Sequence, residues 1–284
     1  MSAPVASFPD RLSPAAIGRF RLCPKSFFMA DVERMPREEQ PNPQFCQANA
    51  IHHALERFFG LPAVDRRPEN LERALRSVWP THRRPGAFVS REQEAAYGLE
   101  ALEMLRRFGE RFNLNTRPLA REEWVQARVR GAELFGKVDR IDAVPTAGAA
   151  AAAEAGMPVD GREVIGLELV DYKTGRVELD EDDLRHEPAA QVYLLATEAS
   201  YRLPVERVRF IYLRSGHDIS WYPEREDVEA LGERVLELVG EMRGEIEFEA
   251  RPGSHCRFCP VARRCPDRQS VTLADLVPVE EMAF

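Results

Sequence analysis

A chain of 284 residues that is 44% hydrophobic has enough apolar material for one large domain, or one domain with an insertion, which excludes disorder as the default. A net charge of -8 excludes a uniformly basic nucleic-acid binder but leaves room for a local basic groove: of 39 basic residues only three are lysine and 36 are arginine, the better bidentate partner for phosphate. No apolar run approaches the ~18 residues of a membrane span, and the opening MSAPVASFPDRLS lacks a basic start followed by an apolar stretch, so a cytoplasmic location with no membrane partner is expected.

In chain order, residues 13–30 and 44–59 are expected as helices. SPAAIGRF offers a Ser cap with Pro in the first turn, and Ile51, Leu55 and Phe58 recur at i, i+4 and i+7. The helical pattern continues over 68–79 and 90–113, giving a helical insertion within 60–121. From 122 to 142 the period becomes two, and WVQARVRG followed by AELFGKVDRIDAV predicts a hairpin that turns near Arg130-Gly131. The Ala/Gly-rich stretch PTAGAAAAAEAGMPVDG predicts a loop insertion at 143–162. A strand over 163–173, a helix over 187–201, strands over 207–213 and 218–222, and a helix over 225–243 follow. A cysteine-rich region at 250–268 completes a single domain, 1–270, before a C-terminal tail, 271–284. There is no internal repeat and no GxxxxGK[ST] loop, which excludes a built-in ATP motor.

The stretch LVDYKTG, residues 169–175, places Leu167, Leu169, Asp171 and Lys173 on one face of a strand. Taken alone it reads as a strand leaving the core with an exposed ion pair at its end. On the strand 134–142 the same alternation puts Phe135, Lys137, Asp139 and Ile141 on one face. If the two strands pair, Asp139 and Asp171 converge beside Lys173. Two carboxylates on a half-buried face repel and call for a cation, and hard oxygen donors point to magnesium or manganese. An ammonium beside that metal can orient water and stabilise charge developing on a phosphate, which gives Lys173 a role.

GKVDRID followed by LVDYKTG resembles the second and third motifs of the PD-(D/E)XK nuclease superfamily, specifically its RecB-like branch. IHHALE is similar to that branch's helical His before a Leu-Glu pair, and QVYLLA to its helical Gln after the catalytic strand. The resemblance implies an α/β, restriction-endonuclease-like core with a mixed central sheet flanked by helices. It further implies catalytic Asp139, Asp171, Lys173 and Gln191, and a metal site of His52, Asp139, Asp171 and the carbonyl of Tyr172. Three departures stand out: the insertion between the aspartates, the doubled His52-His53, and Leu195 where the family's Gln motif carries Tyr. Tyr193 falls about 200° round the helix from Gln191. His53 reads as a solvated neighbour.

CRFCPVARRC gives Cys256-x2-Cys259-x5-Cys265, a spacing that suits one metal centre with a vacant position, for which Cys23 in RLCPKSFF is the chosen fourth ligand. In iron-sulfur members of the RecB-like branch, such as AddB-type subunits and CRISPR-associated spacer-acquisition exonucleases, an early Cys joins a similar late triplet. The resemblance therefore implies a 4Fe-4S cluster on Cys23, Cys256, Cys259 and Cys265, clipping the N-terminal region to the C-terminal one. A structural zinc site is the alternative. Cys46 reads as packing.

Together these readings describe a metal-dependent deoxyribonuclease, an exonuclease on single-stranded ends, in DNA repair, recombination or CRISPR-type processing. DNA is its partner, with a helicase or other repair protein beside it. Arg106, Arg107, Arg111, Arg257, Arg263 and Arg264 are candidates for a phosphate track. The rival reading is a non-catalytic iron-sulfur DNA-binding subunit of a helicase-nuclease complex, against which an intact Asp-Asp-Lys set counts.

Overall fold

The apolar run that ends in LVDYK forms strand β4, Ile165–Lys173, and its side chains enter two separate cores. Leu167 and Leu169 join the main core, whereas Val170 and Tyr172 join a second core on the opposite face. A strand covered on both faces reads as a near-continuous apolar run, and β4 is such a strand, not one leaving the core. The computed structural model describes residues 8–37, 42–116, 118–129, 131–146 and 165–270. The loop expected at 143–162 lies outside these from residue 147 on, as does the tail 271–284; residues 143–145 continue a strand instead.

The other strands are β1 (Arg11–Leu12), β2 (Pro118–Val129), β3 (Ala132–Pro145), β5 (Val205–Tyr212) and β6 (His217–Trp221). They form one six-stranded mixed sheet in the order β1-β3-β4-β5-β6, with β2 also paired to β3. β1 and β3 run parallel, as do β4 and β5; the remaining pairs are antiparallel. β2 starts earlier than the period-two pattern indicated. Its hairpin with β3 closes at Val129↔Ala132 beside Gly131, whose φ of 89° is a left-handed turn conformation that a residue with a Cβ resists.

Strand β3 organises the site. One edge is taken by β2 along its length. The other is shared, by β1 at Glu133 and Leu134 and by β4 from Arg140 onward, so residues 135–139 have no strand on that edge among the described residues. The expected alternation fails here. Leu134 and Val138 enter the main core, but so does Ile141, three positions on, so the phase slips by one around Asp139. On the neighbouring strand Glu122 has φ 49°, a left-handed conformation uncommon for a residue with a Cβ, and the β2-β3 register shifts between Pro118 and Ala120.

The helices are α1 (Pro14–Leu22), α2 (Pro24–Phe27), α3 (Pro43–Phe59), α4 (Pro68–His82), α5 (Arg91–Arg111), α6 (Glu181–His186), α7 (Pro188–Tyr201) and α8 (Arg225–Gly244). The main core lies between one sheet face and α1, α7 and α8, and the second between the other face and α3, α4 and α5. The helix expected over 13–30 is broken. Cys23 is extended (φ -156°, ψ 102°) because Pro24 disfavours helical geometry in the residue before it, and a π-helical turn, Phe28–Val32, follows α2. α6 was not anticipated; at six residues it is too short to show a period, and the Asp180 side chain caps it by accepting from Asp183 N at 2.7 Å.

Candidate active site

The β3-β4 ladder ends at Arg140↔Val170, so Asp139 and Asp171 are the next residues in register, just where the strands part. Asp139 is fixed from two sides. Tyr172 N donates to its Oδ2 at 2.7 Å, and His52 Nδ1, from the middle of α3, lies 3.1 Å from its Oδ1. Asp171 Oδ2 is held by Lys173 Nζ at 2.8 Å, and that ammonium also sits 4.4 Å from the centre of the Phe210 ring. Both aspartates are buried.

The sequence reading missed Glu122. Its Oε1 is 3.8 Å from His52 Nδ1, and its other oxygen is paired with Lys137. One donor atom from each of His52, Glu122 and Asp139 lies within 4.8 Å of the others, which makes these three the tight donor set; Asp171 stands outside it, drawn toward Lys173. A hairpin register could have revealed Glu122: counting seven residues along each arm from Val129 and Ala132 sets it opposite Asp139.

Electrostatics mark the site as short of positive charge. Burial alone pushes the His52 imidazole down, but Asp139, Glu122 and Asp171 outweigh it and hold its pKa up at about 10. Burial raises the Asp171 carboxyl, with the Asp139 charge adding to it and Lys173 opposing. Burial likewise disfavours the Lys173 ammonium, yet the adjacent Asp171 raises its pKa overall. An imidazole among several carboxylate oxygens fits a magnesium or manganese ion.

Behind Asp139 lies a buried polar network. Arg140 is bonded to Asp142 at 3.0 Å and to the Tyr172 hydroxyl, and its guanidinium stacks 4.1 Å from the centre of the Phe59 ring. Tyr172 is therefore anchored at its phenol while its backbone N–H serves Asp139.

Other expected residues are placed differently. Gln191 donates to the Arg185 carbonyl at 2.8 Å, tying α7 to α6 at the corner that carries Glu187, and Glu187 is one of the charges felt by Lys173. Tyr193, which the helix geometry set aside, faces the site. Its ring packs against β3, where a Cβ on Gly136 would come within 2.6 Å of it, and burial followed by the charges of Asp171, Asp139 and Glu122 raises its pKa. Leu195 packs against the main core. His53 is not merely solvated: its Nδ1 is 2.8 Å from His82 Nε2. Arg107 and Arg111 bond the carbonyls of Arg214 and Gly216, so they brace the β5-β6 turn, and Arg106 pairs with Glu103.

At the far end of the main core, Cys23, Cys256, Cys259 and Cys265 line one cavity with Ser26 and His255, while Cys46 is buried in α3. Two backbone N–H groups donate to sulfur, Arg251 N to Cys23 Sγ at 3.4 Å and Gly253 N to Cys256 Sγ at 3.5 Å, and Ser26 Oγ shares a hydrogen bond of 3.2 Å with Cys259 Sγ. No three cysteine sulfurs all lie within 4.8 Å of one another. Lys25 pairs with Asp267 at 2.9 Å, Arg251 bonds the Arg21 carbonyl at 3.0 Å and Arg264 the Pro36 carbonyl at 2.5 Å, so the N- and C-terminal regions are joined here.

With this geometry in place, the family is plain. Residues 11–153 and 158–266 match the PD-(D/E)XK nuclease superfamily, and the chain belongs to it. The α/β fold, with a mixed sheet flanked by helices, is that of a restriction-endonuclease-like core. Among solved structures the chain is similar to a "Putative exonuclease" from Eubacterium rectale, at 12% identity and a TM-score of 0.49 over 90% of this chain and 88% of that one. It is also similar to the protein SSO0001, at 13% identity and a TM-score of 0.31 over 83% of this chain and 91% of that one. No curated protein matches the chain.

Proposed function

We infer that the protein is a divalent-metal-dependent DNA nuclease that acts on single-stranded ends, with a 4Fe-4S cluster in the cysteine cavity. The observation that carries the first part is the convergence of His52, Glu122 and Asp139 beside the Asp171-Lys173 pair where β3 and β4 part. His52, Glu122, Asp139 and Asp171 would hold magnesium or manganese, with the Tyr172 carbonyl as a further donor. Bound there, the ion supplies Lewis-acid polarisation of the phosphate and of the attacking water.

The chain's own residues do the rest. Lys173 donates its N–H groups to the water or to a phosphate oxygen, held in place by Asp171 and Phe210. Tyr172 N–H and His52 fix the Asp139 carboxylate, so that it meets its ligand without rearrangement. Gln191 acts as a positioning residue by holding the α6-α7 corner.

For the cysteine cavity, four thiols lining one small cavity suit either a 4Fe-4S cluster or a structural zinc, and the spacing of the late triplet with an early Cys carries the choice of the cluster. N–H groups aimed at sulfur suit thiolate ligands of a cluster. A helicase partner and a role in repair, recombination or CRISPR-type processing belong to the same reading.

End-labelled single and double strands incubated with magnesium or manganese test it, comparing wild type with Asp171→Ala. Metal-dependent shortening from the end by wild type alone is expected; unchanged cleavage by the variant would remove the site assignment.

A further inference from the structure

One exposed patch remains unexplained by the site. On the face of the β2-β3 hairpin that carries Lys137, whose ammonium pairs with Glu122, Trp124 is 65% exposed, an unusual setting for so large an aromatic. It stacks against Phe135 of β3, with ring centroids 5.9 Å apart and planes 21° apart. From the neighbouring β1, the Arg11 guanidinium lies 4.5 Å from the centre of the Phe135 ring. Arg11, Phe135 and Trp124 thus form a row across three strands.

The row runs into the site. Trp124 is two residues along β2 from Glu122, about 7 Å at the rise of a strand. Its register partner, Lys137, stands two residues along β3 from Asp139 and is exposed. At the far end Arg11 and Arg128 share Glu133, at 2.7 and 3.6 Å, so two cations meet one carboxylate there among the described residues. An apolar face lined by flat rings, flanked by cations and continuous with a carboxylate site, matches a strand whose bases stack while its phosphates follow the positive charges.

We propose that Trp124 and Phe135 form a stacking platform for unpaired DNA bases next to the scissile phosphate, with Lys137, Arg11 and Arg128 along the backbone path. This rests on the nuclease reading above and deepens it: the platform requires bases free of a partner strand. It makes the enzyme tolerant of sequence, because every base offers a π face.

The test is fluorescence anisotropy of the full chain in EDTA, with labelled oligothymidylate set against an oligomer of equal phosphate count in which abasic residues replace the bases. Wild type should prefer oligothymidylate by about 10-fold, the worth of one stacked base. Trp124→Ala should fall to the abasic affinity while binding the abasic oligomer unchanged, and Trp124→Phe should keep most of the preference. Intrinsic fluorescence should be quenched by oligothymidylate in wild type and not in Trp124→Phe, whose other two tryptophans remain. Equal affinity of wild type for both oligomers, or a full preference retained in Trp124→Ala, would overturn the proposal. So would a concentration-dependent dimer in sedimentation that Trp124→Ala abolishes without any effect on base preference, since the patch would then belong to a second copy. Cleavage without base preference would sink the platform alone, whereas base preference without cleavage would sink the nuclease reading alone.

Discussion

The carboxylate site and the cysteine cavity are both assembled from segments far apart in the chain, but they are held in opposite ways. At the carboxylate site, Glu122, Asp139, Asp171 and Lys173 all ride on hydrogen-bonded strands, and only His52 comes from a helix. The sheet fixes the geometry before any ion binds. Around the cysteine cavity, α2 and the short turns Ser254–Phe258, Ala262–Arg264 and Pro266–Ser270 share no ladder. They meet through a few polar contacts and a small apolar cluster of Met29, Ala30 and Val261. The first arrangement separates chemistry from stability, whereas on the proposed reading the second makes a bound cluster part of the fold.

The largest effect that could break this contrast is in the first region. Asp139→Asn or Asp171→Asn should lower metal-dependent cleavage by ~10³-fold or more with little fall in melting temperature, since the amide keeps an oxygen for the Tyr172 N–H or for Lys173 while removing one of the crowded charges. A melting temperature that fell along with activity would show that the site carries stability after all.

Second is the cavity. Changing Cys23, Cys256, Cys259 or Cys265 to Ser should give colourless, poorly soluble protein, because a link closing a loop of hundreds of residues contributes about 5 kcal/mol in the chain-entropy picture. Cys46→Ser should stay coloured and active. Elemental analysis of anaerobically purified wild type checks the chemistry: about four irons per chain is expected, and one zinc without iron would leave the clip standing with a different metal.

Much of the first region was legible because strand periodicity and short contiguous motifs report on neighbours two residues apart. Asp139, Asp171 and Lys173 were singled out by those motifs together with the family resemblance, and Cys256, Cys259 and Cys265 by their spacing, with Cys23 added by the resemblance. Glu122 was hidden because its left-handed backbone and its pairing across the hairpin leave no mark in its immediate neighbours. Nor does the alternating pattern show that Ile141 enters the main core with Leu134 and Val138. The roles of Arg107 and Arg111 in bracing a turn were hidden for a different reason: a guanidinium that caps a turn carbonyl has the same spacing in sequence as one that faces solvent.

A milder change sharpens the comparison. Glu122→Gln keeps the shape of the side chain and removes one charge from the tight donor set. It should weaken apparent metal affinity by about 10–100-fold, with activity recovered at higher metal concentration and colour unaffected. A metal titration of cleavage reads this directly, and an unshifted titration would exclude Glu122 from the site.

Smallest is Gly136→Ala. The added methyl would meet the Tyr193 ring, so the ring must move away from the carboxylates at a cost of about 1–3 kcal/mol. Melting temperature should drop modestly, and the same Gly136→Ala change made in a Tyr193→Ala background should cost little further. A variant as stable as wild type would show that the ring moves without strain.

The buried network of Arg140, Asp142 and Tyr172 also limits how this protein can move. Because Tyr172 is clamped at its phenol and Arg140 stacks on Phe59, parting β3 from β4 would expose paired charges and open both cores together. Breathing of the sheet is therefore a poor route to the carboxylates. The stretch of β3 between β1 and β4 that no strand covers among the described residues offers the route from outside, so traffic through the site is governed by what lies over that edge and not by motion within the sheet.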